Sequence, residues 1–405
     1  MAMDNRILIS GAGIAGLTLA HWLARYGFRP TVVERAPGLR AGGNGVDLRG
    51  PAIQVAERMG VMEQARAAAT DVVGMKFVDA TDRAVARIGI GGDGGVEIMR
   101  GDLLGLLHRA AGDDVEYVFG DSVTALRQTR DGVDVSFGHG PDRRFGLVLG
   151  ADGLHSTVRR LAFGSESRFI RHKDHYFAFA DAPAELGEDR WMTMYSLPGR
   201  MAGIYRSGNH HQAKAYFIFR SPELPAYDHR DVGQHRRLIG DAFAAETSWR
   251  TGELLAAALA DPDFYFDALS QVRMDSWSTG RVALAGDAAH CASPASGAGA
   301  ELALVGAYRL AGELAAAGGD HALAFRRYRQ GHRAAVRKKQ QIGLNLSLMV
   351  PRTRTGRRVR DTLASLPLMR IAAAAERLAE ATDSPRSLPD YPAAAPAPGR
   401  RGDRG

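Results

Sequence analysis

Three glycines, Gly11, Gly13 and Gly16, stand directly after the apolar run RILIS (6–10) and at the head of a helical stretch, AGLTLAHWLARYG. A second apolar run follows and closes on Glu34 and Arg35. That spacing serves a dinucleotide. The first glycine permits a tight turn, the second lets the backbone meet a pyrophosphate, and the third lets helix and strand pack closely. The helix N-terminus faces the negative charge, and Glu34 is placed to accept hydrogen bonds from ribose hydroxyls. Ile14, Ala15 and Arg35 complete the contact set expected here.

Two later stretches add to this. LVLGADGLHSTVRRLAFG sets Asp152 between Gly150 and Gly153 at a strand end, and GRVALAGDAAHCASPASGAGAELAL sets Gly286 and Asp287 at another. Small residues then run from Ser293 to Ala300, including Pro294, Gly297 and Gly299. They let the backbone lie close to a flat group, and the helix that starts there aims its positive end at the same place, where it stabilises negative charge on a reduced ring. Arg100 opens the helical stretch GDLLGLLHRAA, where its charge opposes the helix dipole unless an anion compensates. The histidines HKDH and His210–His211 lack partners at ligand spacing, so no metal is expected. No nucleophile signature appears, and no side chain is singled out as a catalytic acid or base.

The elements that must position these residues read as β-α-β at the start, then a helix at 101–111 and short strands to about residue 150. From His175 to Ser221 three strand-like runs follow, then helical patterns at about 231–247 and 252–260, and further helices over most of 299–345. The fold expected is α/β: a Rossmann-type domain interrupted by a mostly antiparallel sheet domain, with C-terminal helices. Its spans are 1–170 and 271–345 for the cofactor domain, 171–270 for the sheet, 346–383 for a C-terminal helical segment and 384–405 for a disordered, Pro/Ala/Gly/Arg-rich tail. Alternating Trp191, Met192, Met194, Tyr195, Tyr205, Tyr216, Phe217 and Phe219 offer one face for an apolar pocket. Of these Met192, Met194 and Phe217 are candidates for substrate contact, with Arg206 as a polar anchor.

Composition bounds the rest. The 405 residues are 45% apolar, enough for a sizeable core, and hold a single cysteine, Cys291, which suits a reducing cytosol. No apolar run is long enough to span a bilayer and no signal peptide opens the chain, so a cytoplasmic enzyme without a membrane partner is expected. The net charge of +7 is concentrated late, in RRYRQGHRAAVRKKQQ and PRTRTGRRVR. Lacking interleaved aromatics beyond Tyr328, that segment reads as a solvated face rather than a nucleic-acid site.

The three motifs, in this order, closely resemble the group A flavoprotein monooxygenases of the para-hydroxybenzoate hydroxylase fold, over about residues 5 to 345. The stretch GGNGVDLRGPAIQVAERMGVMEQAR is most similar to the branch of tetracycline-inactivating monooxygenases and actinobacterial tailoring hydroxylases. The resemblance implies FAD as resident cofactor, NADPH or NADH as electron donor, and O2 activated as a C4a-hydroperoxyflavin that hydroxylates an aromatic or polyketide-like small molecule. It also implies that Asp152 serves both FAD and the nicotinamide donor, that Asp287 bonds the ribityl chain, and that Arg100 reaches the ribityl and phosphate region. Arg49 and Asp47 match a loop that passes the flavin edge, where Asp47 is also a candidate for substrate contact. Glu301 departs from the small or amide residues usual at its position and is expected to turn from the flavin. A non-oxygenating flavoprotein of this fold, guiding the cyclisation of a pathway intermediate, is the alternative. Oligomeric state is left open.

Overall fold

The computed structural model describes residues 4–40, 42–89, 94–342, 346–347, 349–365 and 388–391. Ile7, Leu8, Ile9, Leu147, Val148 and Leu149 are wholly buried, and strands apolar on both faces must be covered on both sides. Arg6–Ser10 and Leu147–Gly150 accordingly lie side by side, parallel, near the middle of a six-stranded sheet. Its order is Ser278–Thr279, Val282–Leu284, Leu147–Gly150, Arg6–Ser10, Arg29–Glu34, Glu116–Phe119. The helix Ile14–Arg25 packs against both Arg100–Ala111 and the long helix Gly299–Ala316, which in turn packs on His321–Lys339.

The second layer is a seven-stranded sheet in the order Tyr265–Val272, Ile170–Ala182, Ala213–Arg220, Arg200–Tyr205, Trp191–Leu197, Gly74–Val78, Ala84–Gly89. Its strands alternate, as a sheet with two different neighbours requires. In Ala213–Arg220, Ala213, Ala215, Phe217 and Phe219 are buried against the helices Val232–Phe243 and Thr251–Ala260. The opposite face carries Phe177, Phe179, Ile218, Tyr265 and Leu269 and meets Ala295 of the first layer.

Two boundaries differ from the sequence reading. The hairpin Gly74–Val78 and Ala84–Gly89 falls inside the span given to the cofactor domain, yet Gly74–Val78 pairs in parallel with Trp191–Leu197 and so extends the second sheet. The tail expected to be disordered is docked at Leu388–Tyr391. Leu388 is buried, the Pro389 carbonyl accepts from the Tyr308 hydroxyl at 2.7 Å and from Arg58 at 3.1 Å, Asp390 pairs with Arg58 at 2.8 Å, and the Tyr391 hydroxyl donates to Glu313 at 2.8 Å. Gly312 leaves the space the Tyr391 ring fills, since a Cβ there would collide with it. Of the C-terminal segment, Arg354–Ser365 is helical; 366–383, the rest of the tail and residues 343–345 lie outside the described residues.

Candidate active site

The glycines divide by what surrounds them. Gly11 has φ +105° and sits so close to Ala151 and Asp152 that a Cβ would lie 2.6 Å from the Ala151 carbonyl oxygen. A Cβ on Gly16 would collide with the Gly11 carbonyl, and one on Gly286 (φ +57°) would lie 2.8 Å from the Ala15 methyl. These three are packing glycines. Gly13, Gly297 and Gly299 face open space: a Cβ on Gly13 meets only Arg100 Nη2, at 3.9 Å, one on Gly297 only Asp47 Oδ2, at 4.0 Å, and one on Gly299 nothing. Ile14 and Ala15 are buried at the start of the helix, whose N-cap Gly13 provides no side-chain acceptor for the first N–H groups. Glu34 braces the turn, accepting from the Ala12 and Ala36 N–H groups at 2.9 Å each. Arg35 beside it is exposed.

Arg100 and Asp287 define the far wall of the same space. Arg100 opens its helix with the guanidinium over Gly13, and its backbone N–H donates to the Asn44 carbonyl at 2.9 Å. Asp287 follows a strand and a glycine that are wholly enclosed, yet its own side chain is exposed, because it faces the cleft and not the outer surface. The protein packed around the carboxylate strips part of its hydration and raises its pKa, opposed by the charge of Arg100 and by a hydrogen bond from the Cys291 thiol. The turn Pro294–Ser296 begins at Ser293, whose φ of +80° is a strained setting for a side chain, and the helix Gly299–Ala316 starts beyond it with Gly299 exposed and Ala300 buried. Glu301 pairs with Lys339 at 3.1 Å. A backbone cradle with open glycines, an overhanging guanidinium and a carboxylate at the base of an open cleft suits a dinucleotide, and the residues present fit FAD.

Asp152 is differently engaged than its motif implies. One oxygen accepts from the Ser156 hydroxyl at 2.5 Å and the other from the Val158 N–H at 3.0 Å, so the carboxylate caps its own loop while its backbone borders Gly11. Sequence reasoning missed Arg159 in the same motif. Fully buried, it donates to the Leu154 carbonyl at 2.6 Å and the Ala288 carbonyl at 3.0 Å, tying the second motif to the third.

On the sheet side the substrate candidates separate. Asp47 and Arg49 form an ion pair at 3.1 Å beside the Gly297 turn. Met192 lies half-buried on the cleft-side face, across from Tyr205, whose hydroxyl donates to Glu97 at 3.0 Å. Glu97, not anticipated, has its pKa raised, chiefly by burial. Met194 is enclosed with Phe77, Met201 and Val350 and is a core residue. Phe217 points the other way, into Phe243 at 5.0 Å between ring centroids, because its strand alternates. Arg206 follows Tyr205 and therefore turns from the cleft, toward Asp189 at 3.6 Å and the His210 carbonyl at 3.2 Å. Among the described residues no group of His, Cys, Asp and Glu is placed to hold a metal ion, and no helix is long and apolar enough to cross a membrane.

Residues 4–338 match the FAD binding domain family. A flavin-dependent monooxygenase of Legionella longbeachae is 36% identical over 352 residues, covering 86% of this chain and 90% of that protein. An uncharacterized protein of Mycobacterium tuberculosis is 43% identical over 344 residues, covering 83% and 92%. The crystal structure of the tetracycline destructase Tet(51) superposes with a TM-score of 0.83 at 35% identity, covering 96% of this chain and all of that one.

Proposed function

Because the chain belongs to the FAD binding domain family, among the FAD-dependent monooxygenases, we propose that it takes electrons from NADPH or NADH and places one oxygen atom of O2 on an aromatic or polyketide-like small molecule. FAD, when bound, supplies the electron transfer and the oxygen activation at its C4a position. The protein's part is to bind, orient and exclude water. The turn at Gly13, the helix N-terminus behind it and Arg100 would hold the pyrophosphate, Glu34 a ribose, Asp287 the ribityl chain, and the Pro294–Gly299 backbone the ring. The observation that carries the reading is Asp287, exposed directly after the enclosed residues 282–286 and under the charge of Arg100. Phe177, Phe179 and Tyr265 cluster beside Ala295 on the sheet face turned to the cofactor layer, aromatic surface that would favour a planar apolar substrate. The FAD-loaded enzyme should oxidise NADPH or NADH in air, and with isotopically heavy O2 it should label a product from a panel of phenols and aromatic polyketides with one heavy oxygen atom. Cofactor-loaded enzyme that oxidises neither nucleotide with any panel member would overturn the reading.

A further inference from the structure

Where the two layers meet, acids and bases not used above form a continuous chain. Tyr265 lies on the cleft-side face of the sheet, in the cluster that includes Ala295, with its ring stacked on Phe179 at 4.7 Å. Its hydroxyl donates to Asp267 Oδ2 at 3.2 Å. Asp267 Oδ1 accepts from the Tyr227 hydroxyl at 3.0 Å and from the Ala268 N–H at 2.7 Å. His155, on the loop after Leu147–Gly150, reaches across to place Nε2 at 3.2 Å from Oδ2 and 3.3 Å from Oδ1. Its Nδ1 lies 2.6 Å from Glu166 Oε1. Along this line the side chains pass from 6% exposed at Asp267 through 19% at His155 to 32% at Glu166, so the chain runs from the interior to water.

A purely structural ion pair between the layers needs one carboxylate. Here the imidazole has one at each nitrogen, and the inner carboxylate ends on a phenol beside the cleft. Every link can both take and give a proton. We propose that Tyr265, Asp267, His155 and Glu166 form a proton path between the flavin cleft and solvent. It rests on the reaction proposed above, which takes up one proton per turnover: NAD(P)H, H+, O2 and substrate give NAD(P)+, hydroxylated product and water. Reduction of O2 to H2O2 without substrate takes up one as well. With the Tyr265 O–H rotated from Asp267 toward an acceptor in the cleft, His155 gives its Nε2 proton to Asp267, which passes it to the Tyr265 oxygen as the phenolic proton leaves for that acceptor. The ring is left neutral with its proton on Nδ1; it turns about its side-chain bonds until Nε2 faces Glu166 and solvent, takes up a proton from water there, and turns back as the imidazolium. Only O–H and N–H bonds change.

The charged and titratable groups facing His155 are Asp267 on its strand, Glu166 on the turn before that sheet, and His229, which stacks flat on the imidazole at 3.7 Å. Tyr227 and Tyr265 reach it through Asp267, and Arg159 lies 3.9 Å from Glu166. Burial opposes the imidazolium, but hydrogen bonds to Asp267 and Glu166 outweigh it and raise the His155 pKa to about 9. The path is therefore charged at neutral pH.

The test uses FAD-loaded enzyme reduced with dithionite and mixed with aerated buffer, so that flavin reoxidation is read without any nicotinamide. In His155→Gln and Tyr265→Phe reoxidation should slow at least about tenfold, a modest share of what general acid–base help is worth, and its solvent deuterium isotope effect should change. The wild-type rate should fall as pH rises through about 9, and His155→Gln should lose that limb. Tyr265→Phe removes only a hydroxyl, so it decides the matter if His155→Gln folds poorly. In flavin-free protein the His155 ring signals in an NMR titration should move near pH 9, and in Asp267→Asn well below it. Both variants reoxidising at the wild-type rate with an unchanged isotope effect and pH profile would overturn the path. Wild-type enzyme that reoxidises normally but never oxidises NADPH or NADH would instead overturn the reaction on which it rests.

Discussion

The cofactor layer and the antiparallel sheet solve the same problem in opposite ways. In the first, functional groups sit at strand ends, where the chain turns: Gly13 after Arg6–Ser10, Glu34 closing Arg29–Glu34, Asp287 after Val282–Leu284. Their surroundings are local, so spacing along the chain fixes geometry in space. In the second, the groups lie within strands, and only alternation decides whether a side chain meets the cleft or the helices behind. Phe217 and Ile218 are neighbours in sequence and belong to opposite sides of the sheet.

The contrast is sharpest at Gly13. Gly13→Val should abolish FAD binding while the flavin-free protein melts within a degree or two of wild type, because a Cβ there meets no protein atom closer than Arg100 Nη2, at 3.9 Å. Gly16→Ala should unfold the layer itself, since its Cβ collides with backbone; equal flavin loss and equal melting in the two variants would erase the distinction between packing and ligand-facing glycines. In the other layer Phe217→Ala should lower stability by about 3–5 kcal/mol in chemical denaturation, as a buried aromatic does, with little effect on flavin affinity. A changed substrate KM with stability intact would return Phe217 to the cleft.

Between the layers, the His155 pKa of about 9 lies above its unfolded value of about 6.5. The stabilisation is therefore complete below about pH 6.5 and lost as pH rises through about 9, up to about 3 kcal/mol in all. Melting temperature should fall over that window in wild type and much less in His155→Gln. If Asp287 holds the ribityl chain as proposed, Asp287→Ala removes a charge-assisted bond worth about 1.5–3 kcal/mol and should weaken FAD binding about ten- to a hundredfold. An unchanged FAD dissociation constant would remove Asp287 from the cofactor. The smallest effect is expected at the docked tail, where Tyr391→Ala should cost about 1–2 kcal/mol of stability through the lost ring packing and the bond to Glu313.

What could be read beforehand follows from the same contrast. The glycine turn, Asp287 and Arg100 were visible because each lies within a few residues of the element that places it. Glu97, Asp267 and His155 were not, since the meaning of each comes from a partner far along the chain: Tyr205 for Glu97, and His155 and Asp267 for one another. Asp152 stood in its motif, but its sequence neighbours Ser156 and Val158 hold the carboxylate, a competition that spacing does not reveal. At 388–391 the tail departs from the disorder its Ala, Pro, Gly and Arg content led one to expect, because Leu388 and Tyr391 anchor those residues.

The hairpin Gly74–Gly89 carries a consequence for how such proteins acquire new substrates. The chain leaves the cofactor layer for this hairpin, returns, and leaves again for Ile170–Val272 before its final return. Genetic recombination that exchanged only the long excursion would therefore leave the last two strands of the recipient's sheet behind, pairing old Gly74–Val78 with a foreign Trp191–Leu197. The sheet is not a cassette. Inheritance of a new pocket in one piece needs four crossover points instead of two, which favours change by point substitution on the cleft-side face while the cofactor layer stays as it is.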